Sequence, residues 1–166
     1  MRRLGKEINN SLGMEIVDRI MNASPAFFER VVVRLLLAMG YGGSLAEAGK
    51  AIGRSGDDGI DGVIDQDTLG LDRIYIQAKR YQTESGIGSG AIRDFFGSLD
   101  MHKASKGLFV TTTYFSKSAV ETAEKLGKRI VLIDGVQLAK LLVKFNVGCR
   151  LEDTVEIKKI DEDFFE

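Results

Sequence analysis

Two short segments, separated by an acidic turn, constrain the fold of this chain more than any other part of its sequence. The first runs from a loop rich in glycine and aspartate, residues 53–59, into an apolar strand that ends at Ile64. A strand period of two puts Ile60 and Ile64 on one side and Asp61 on the other, away from the core. The second segment, residues 74–81, also alternates, which predicts a strand with two different faces. One face receives Ile74, Ile76 and Ala78, and the other Tyr75, Gln77, Lys79 and Tyr81.

The turn between these segments predicts a β-hairpin. Residues 65–72 combine aspartates with a single glycine, which suits a hairpin loop. A hairpin centred near Leu69 pairs Asp61 with the stretch from Gln77 to Lys79. A carboxylate, an amide oxygen and an ammonium would then converge from neighbouring strands. Such a set can hold a hard cation and direct a water molecule at a phosphodiester.

The composition is that of an ordinary globular protein. The 166 residues, 44% hydrophobic and 28% charged, are enough for one domain with a substantial core. No apolar run approaches the ~20 residues that span a bilayer, so we expect no membrane association. The lone Cys149 cannot form an internal disulfide, and we expect a cytoplasmic protein. The net charge of −1 argues against coating nucleic acid by bulk charge but allows a local basic rim around an acidic site.

The hairpin motif resembles the catalytic domain of Mrr-like restriction endonucleases, a branch of the PD-(D/E)XK nuclease superfamily. The resemblance rests on residues 56–62 followed by residues 76–81, and it covers roughly Ser24 to Val147 in register. It implies an α/β fold with a restriction-endonuclease-like core, a mixed central β-sheet flanked by helices, of the αβββαβ type. Further matching segments are Phe28-Glu29, residues 107–112 and residues 132–138.

The same resemblance implies a metal-dependent endonuclease that hydrolyses phosphodiester bonds of double-stranded DNA, in restriction of foreign or methylated DNA. Asp61, Gln77 and Glu29 would hold Mg²⁺, with Mn²⁺ as a substitute, and Lys79 would orient the attacking water. Most of the superfamily has an acid where this chain has Gln77, although the Mrr-like branch accepts glutamine. Without the resemblance, a structural role for Glu29, in which the helix dipole or an arginine stabilises the acid, is as well supported as a metal-linked role.

Three regions are predicted along the chain. Residues 1–23 form a helical lead-in or linker, residues 24–148 the Mrr-like nuclease domain, and residues 149–166 a tail whose phenylalanines pack on the domain. In the nuclease region, Ser24 is a natural N-cap before Pro25, and Gly40 ends that helix. Mrr-like proteins usually carry an upstream DNA-recognition domain, and we expect it to be missing from this length of chain. Later elements are a helix over 91–103, strands over 107–114 and 129–133, and helices capped by Ser116 and Asp134.

Contacts to DNA are predicted from the loop before the hairpin and from the edges of the site. Arg54, Ser55 and Gly56 lie where glycines let the backbone approach a phosphate, although a flexible acidic turn is the alternative. Ser89 precedes a helix whose backbone N–H groups could contact phosphate, and an ordinary flexible connection is favoured over that role. The basic rim would contain Arg54, Lys79, Arg80, Arg93, Lys103 and Lys106.

Two alternative functions stay open. A catalytically silent DNA-binding or sensing module would have the same shape without turnover, and a junction-resolving nuclease would share the metal chemistry. Two cuts in a duplex favour a homodimer or a pair bridged by DNA. The threonines at 111–113 are either β-branched strand residues, which we favour, or a polar strand end that faces the cleft.

Overall fold

A four-stranded sheet with helices on both faces forms the centre of the protein. The computed structural model describes residues 2–42, 59–80, 86–154 and 156–166. None of the helices in these ranges combines the length and hydropathy that crossing a bilayer requires. The elements are α1 (Arg2–Met21), α2 (Pro25–Ala38), β1 (Gly62–Asp65), β2 (Arg73–Lys79), α3 (Ser89–Met101), β3 (Lys106–Thr111), α4 (Lys117–Lys125), β4 (Arg129–Ile133), α5 (Gly135–Lys144) and a 3₁₀ turn (Glu162–Phe164).

The sheet is mixed, as predicted. Its strand order is β1-β2-β3-β4, and β1 pairs antiparallel with β2 while the other neighbours are parallel. Asp65 pairs with Arg73, which centres the hairpin on Leu69. This confirms the restriction-endonuclease-like arrangement of a hairpin joined to a parallel unit. The αβββαβ pattern has three strands after the first helix; two lie in the described ranges, and residues 43–58 fall outside them.

The two faces of the sheet bury different side chains. Ile64 and Ile76 point to an aliphatic layer under α1, α2 and α5, whereas Phe109 points to an aromatic layer under α3 and α4. The prediction that Ile60 and Ile64 share one side was wrong, since Ile60 packs in the aromatic layer. The reason is local: the β-ladder begins only at Gly62, so the alternation does not extend back to Ile60.

Helix starts and stops follow the predicted caps closely. The side chains of Ser24, Ser116 and Asp134 each accept a hydrogen bond from a backbone N–H of the following helix. Gly40 has φ +99°, a conformation that glycine adopts readily, and α2 ends just before it. Local sequence therefore sets the boundaries of these helices.

The two ends of the chain differ in burial. Helix α1, predicted as a lead-in, contributes Ile16 and Ile20 to the aliphatic layer and packs on α5. The tail does not show the predicted docking: Phe164 and Phe165 are 80% and 75% exposed. Thr154 and Ile157 of this tail lie outside any strand. Four of the last six residues are acidic, and the cost of desolvating these carboxylates keeps the segment off the apolar layers of its own domain.

Candidate active site

Asp61 lies where the open end of the hairpin meets the carboxyl end of β2. Its backbone N–H donates to the carbonyl of Ile76 at 2.8 Å, and its Oδ2 accepts from the backbone N–H of Ala78 at 2.7 Å. The side chain thus takes the place of a backbone acceptor just before β1 begins. This contact holds the half-buried carboxylate beside the last residues of β2, as the predicted register required.

Gln77 is buried on the α3 side of the sheet. It is 7% exposed, and its Oε1 has no hydrogen-bond partner in the described part of the protein. Gly59 approaches the same place with φ +74°, and a Cβ added there would lie 2.8 Å from Oγ of Ser98 and 3.6 Å from Nε2 of Gln77. The amide nitrogen therefore faces the loop end and α3. A buried acceptor without a partner costs about 1–3 kcal/mol, so Oε1 is suited to receive a ligand that supplies positive charge.

Lys79 is the last residue of β2 and is half-buried. It pairs with Thr111 on β3, and the buried Thr111 hydroxyl donates to the Lys79 carbonyl at 2.8 Å. None of the ion pairs within the described residues includes Lys79. The backbone of this lysine is therefore fixed at the end of β2.

The two carboxylates of the site influence each other. Burial raises the pKa of Asp61, and the Ala78 hydrogen bond and the Lys79 charge only partly offset this rise. The pKa of Glu29, on the first turns of α2, is also raised, first by burial and then by the negative charge of Asp61. The neighbouring Arg30 opposes that rise. Two desolvated acids that repel each other are a favourable place for a divalent cation.

The donor set for such a cation is small. In the ranges that the structure describes, no group of three or more His, Cys, Asp and Glu side chains is placed to hold a metal ion. Glu29 and Asp61 would therefore need neutral oxygens as further ligands. The Gln77 amide oxygen is a candidate for one of them, since it has no hydrogen-bond partner among the described residues. An all-oxygen set suits Mg²⁺, which retains several water ligands in proteins.

The residues predicted to contact DNA divide into three groups. Arg54, Ser55 and Gly56 lie outside the described residues. Ser89 starts α3 at the same edge of the sheet as Lys79, and its Oγ accepts from Arg93 at 3.2 Å. Arg80 is also at this edge, but its Nη1 donates to the Met21 carbonyl at 2.7 Å, which ties it to the end of α1.

The prediction that Lys103 and Lys106 belong to the basic rim was wrong. Lys106 is the first residue of β3 and contacts Asp72 and Gln66 at the turn end of the hairpin. Lys103 lies between α3 and β3, at that same end. Because β2 and β3 run parallel, the start of β3 lies a full strand length away from Lys79. These lysines therefore cannot belong to a rim around Asp61.

Comparison with known proteins identifies the family of this fold and site. A family model described as a restriction endonuclease, of the Mrr catalytic type, matches residues 20–142. The matched range contains Glu29, Asp61, Gln77 and Lys79. The chain belongs to the Mrr-type restriction endonuclease family.

Relatives and solved structures agree with this membership. The type IV methyl-directed restriction enzyme EcoKMrr of Escherichia coli K12 is 36% identical over 97% of the chain, and the match covers 51% of EcoKMrr. The chain thus spans about half the length of this curated relative. The Mrr-type fold is similar to MspJI restriction endonuclease in complex with an oligonucleotide (TM-score 0.58, 20% identity, 81% of this chain and 31% of that one). It is also similar to the DNA modification-dependent restriction endonuclease AspBHI (TM-score 0.63, 15% identity, 85% of this chain and 36% of that one).

Sequence reasoning underrated Thr111. We favoured the threonines at 111–113 as β-branched strand residues, and Thr111 is indeed fully buried. Its hydroxyl nevertheless holds the carbonyl of Lys79. The signal was a run of hydroxyl side chains at the carboxyl end of a parallel strand, which is the edge where α/β proteins place their sites.

Proposed function

We propose that this chain is the nuclease portion of an Mrr-type restriction enzyme and hydrolyses phosphodiester bonds of double-stranded DNA with Mg²⁺, or with Mn²⁺ as a substitute. The observation that carries the proposal is the hydrogen bond that holds the Asp61 carboxylate at the backbone of Ala78, between Gln77 and Lys79. Among the described residues, the buried Gln77 oxygen has no partner and Lys79 joins no ion pair. Methylated DNA as the preferred target, a cytoplasmic location and an upstream recognition domain belong to the same proposal. EcoKMrr is described as methyl-directed, which supports the methylated target.

Each residue has a distinct part in this reaction. Asp61, Gln77 and Glu29 would hold the cation, which supplies charge stabilisation to the phosphate and acidifies a bound water. The Lys79 ammonium would orient that water and stabilise negative charge that develops on the phosphate oxygens. The Thr111 hydrogen bond limits movement of the Lys79 backbone while the ammonium acts. Stabilisation of developing charge by one positioned group of this kind contributes roughly 10²- to 10³-fold to a rate.

The neutral Gln77 has a consequence for metal affinity. A site with two carboxylates and an amide carries less negative charge than a site with three acids, so it attracts Mg²⁺ less strongly. Phosphate oxygens of the duplex would complete the ligand set. We therefore expect Mg²⁺ to bind weakly to the free protein and more tightly in the presence of DNA, as measured by calorimetric titration with Ca²⁺ as a non-reactive stand-in.

The decisive experiment is cleavage of a supercoiled plasmid in Mg²⁺ by the parent protein and by Lys79→Ala. We expect the variant to nick at least about 100-fold more slowly, because it lacks the group that orients the water. Lys125→Ala is the matched control, since this exposed lysine ends α4 at the opposite edge of the sheet and should leave the rate unchanged. Equal nicking by the parent and Lys79→Ala would exclude the proposed role of Lys79, and no cleavage by either would favour the silent DNA-binding module.

The substrate class needs a parallel panel. Methylated duplex, unmethylated duplex and four-way branched DNA are compared at equal concentration, both with this chain and with a longer protein that includes an upstream domain. Methylation preference in the longer protein alone would place target choice outside the nuclease portion. Faster cleavage of branched DNA by this chain would instead favour the junction-resolving alternative.

A further inference from the structure

A groove separate from the nuclease residues lies between α1, α2 and the turn that follows α5. It has a volume of about 390 Å³, which is within the range of a binding pocket. Among the described residues that line it, none is acidic. Its lining includes the apolar side chains of Ile16, Ile20 and Phe27 and the arginines Arg19, Arg30 and Arg34. Arg19 also pairs with Glu15 at 2.6 Å, on the exposed side of α1.

The aromatic ring of Phe27 gives the groove a binding surface of its own. Phe27 is 40% exposed, and the Arg30 guanidinium carbon lies 5.7 Å from its ring centroid. An exposed ring flanked by cations favours an occupant that brings aromatic side chains together with negative charge. The lining of the groove therefore favours a ligand that is both aromatic and acidic.

The C-terminal segment of this chain has that chemistry. Residues 161–166 read Asp-Glu-Asp-Phe-Phe-Glu, with four acids, two phenylalanines and no base. Phe164 and Phe165 are largely exposed, and their rings meet edge to face with centroids 5.2 Å apart. An exposed aromatic pair surrounded by acids is unusual for a free tail, because burial of each ring would be favourable.

We propose that residues 161–166 of a second copy of this chain dock in the groove between α1 and α2. None of the described residues of the tail, 149–154 and 156–166, lines the groove in the same copy, so another molecule can enter it. Two copies can exchange tails reciprocally, and this gives a closed pair with twofold symmetry. The phenylalanines contact Phe27 and the aliphatic lining, and the four acids face the arginines.

The nature of the contact predicts its behaviour in solution. A tail of six residues buries little area, so the pair dissociates on dilution rather than behaving as an obligate dimer. Its ion pairs lie at the protein surface, so added salt weakens it. We expect a concentration-dependent monomer–dimer equilibrium that shifts towards monomer as NaCl rises from 50 to 500 mM, about a threefold decrease in screening length.

The test is sedimentation velocity without DNA or metal, on the full chain and on two kinds of variant. The tail variant is Phe164→Ser with Phe165→Ser, and the groove variant is Arg19→Glu with Arg34→Glu. Each variant alone should be monomeric at concentrations where the parent associates. Leu151→Ser is the matched control, since it removes an equally exposed apolar side chain outside the acidic segment and should leave association unchanged.

Mixing the two variants distinguishes exchange between copies from docking within one copy. The groove variant keeps its tail and the tail variant keeps its groove, so an equimolar mixture should form a heterodimer through one of the two contacts. A labelled peptide of residues 150–166 should also bind the tail variant, and this measurement remains informative if the groove variant is unstable. A mixture that stays monomeric, or a peptide that does not bind, overturns the proposal.

Discussion

The two ends of the β1–β2 hairpin use polar side chains in opposite ways. At the turn, Lys106 reaches Asp72 and Gln66, and Arg73 pairs with Asp65 at 3.3 Å. At the open end, Gln77 has a buried oxygen without a partner in the described structure, and Lys79 joins none of its ion pairs. The same pair of strands thus has one end with satisfied polar groups and one end with unsatisfied ones.

One aspartate at each end shows the physical basis of this difference. Asp67 accepts backbone N–H groups from Leu69, Leu71 and Asp72, and these hydrogen bonds lower its pKa. Asp61 accepts one, from Ala78, and burial raises its pKa above the usual range. Asp67 therefore contributes to folding through its charge, whereas the charge of Asp61 opposes folding. A charge that is kept at a cost to folding is typical of a functional site.

The largest effect should come from Asp61→Asn. The amide can still accept from Ala78, so the fold is retained, but the charge that attracts the cation is gone. We expect plasmid cleavage to fall by more than about 100-fold, since removing even an indirect metal partner costs roughly 10- to 100-fold. Cleavage within tenfold of the parent would exclude Asp61 as a principal metal ligand.

The same variant should be more stable than the parent at neutral pH. An acid whose folded-state pKa is raised favours folding below its unfolded pKa and loses that contribution as pH rises through the folded value. Asp61→Asn removes this loss and the repulsion on Glu29. Thermal unfolding in EDTA should therefore give a higher midpoint for the variant at pH 8 and equal midpoints below about pH 4. A variant that is less stable at pH 8 would contradict the assigned direction.

Gln77→Glu should give the second largest effect. A third carboxylate strengthens attraction for Mg²⁺, so the metal concentration at half-maximal cleavage should decrease by about tenfold or more. Without metal the variant should be less stable than the parent, because a buried carboxylate joins two acids that already repel each other. Gln77→Met, which keeps the volume and lacks the amide oxygen, is the control and should raise the required metal concentration.

Much of this contrast could be predicted from local sequence. The alternation in residues 74–79 gave the correct faces for β2, and the glycine and aspartates after Asp65 gave a hairpin centred on Leu69. Together they placed Asp61 beside Gln77 and Ala78, as the 2.7 Å hydrogen bond shows. These features depend on strand periodicity and turn chemistry, which act over a few residues.

Features that depend on the order of the strands could not be predicted from local sequence. The position of Lys106 after α3 suggested that it belongs to the basic rim. The parallel pairing of β2 with β3 instead puts it at the turn end of the hairpin. The Arg80 contact with Met21 joins residues far apart in the chain, and no local pattern signals it. The prediction that the tail packs on the domain was wrong for a different reason. Its apolar residues suggested packing, whereas its acids are costly to bury against an apolar surface.

Thr111→Val should have a smaller effect, limited to the open end. Valine keeps the shape but removes the donor to the Lys79 carbonyl, and a lost hydrogen bond of about 1 kcal/mol corresponds to roughly fivefold in rate. We expect kcat to decrease by that amount with KM for DNA unchanged, because Lys79 loses its position rather than its charge. Thr111→Ser should restore the rate. If the Val and Ser variants had equal kcat, the role of Thr111 would be packing alone, without a contribution from its hydroxyl.

The smallest effect should come from Asp67→Asn at the turn end. Its lowered pKa means that the charged side chain favours folding above the ordinary value of 3.8, and that this contribution is lost as pH falls through the lower folded value. The variant should therefore melt slightly below the parent at pH 7, with the difference disappearing once the pH falls below the lowered folded-state pKa of Asp67, and should cleave DNA at the parent rate. Since Asp61→Asn is predicted to raise the melting temperature and abolish cleavage, the two substitutions change stability and activity in opposite combinations. Loss of cleavage in Asp67→Asn would show that the turn end of the hairpin also affects catalysis and that the two ends are coupled.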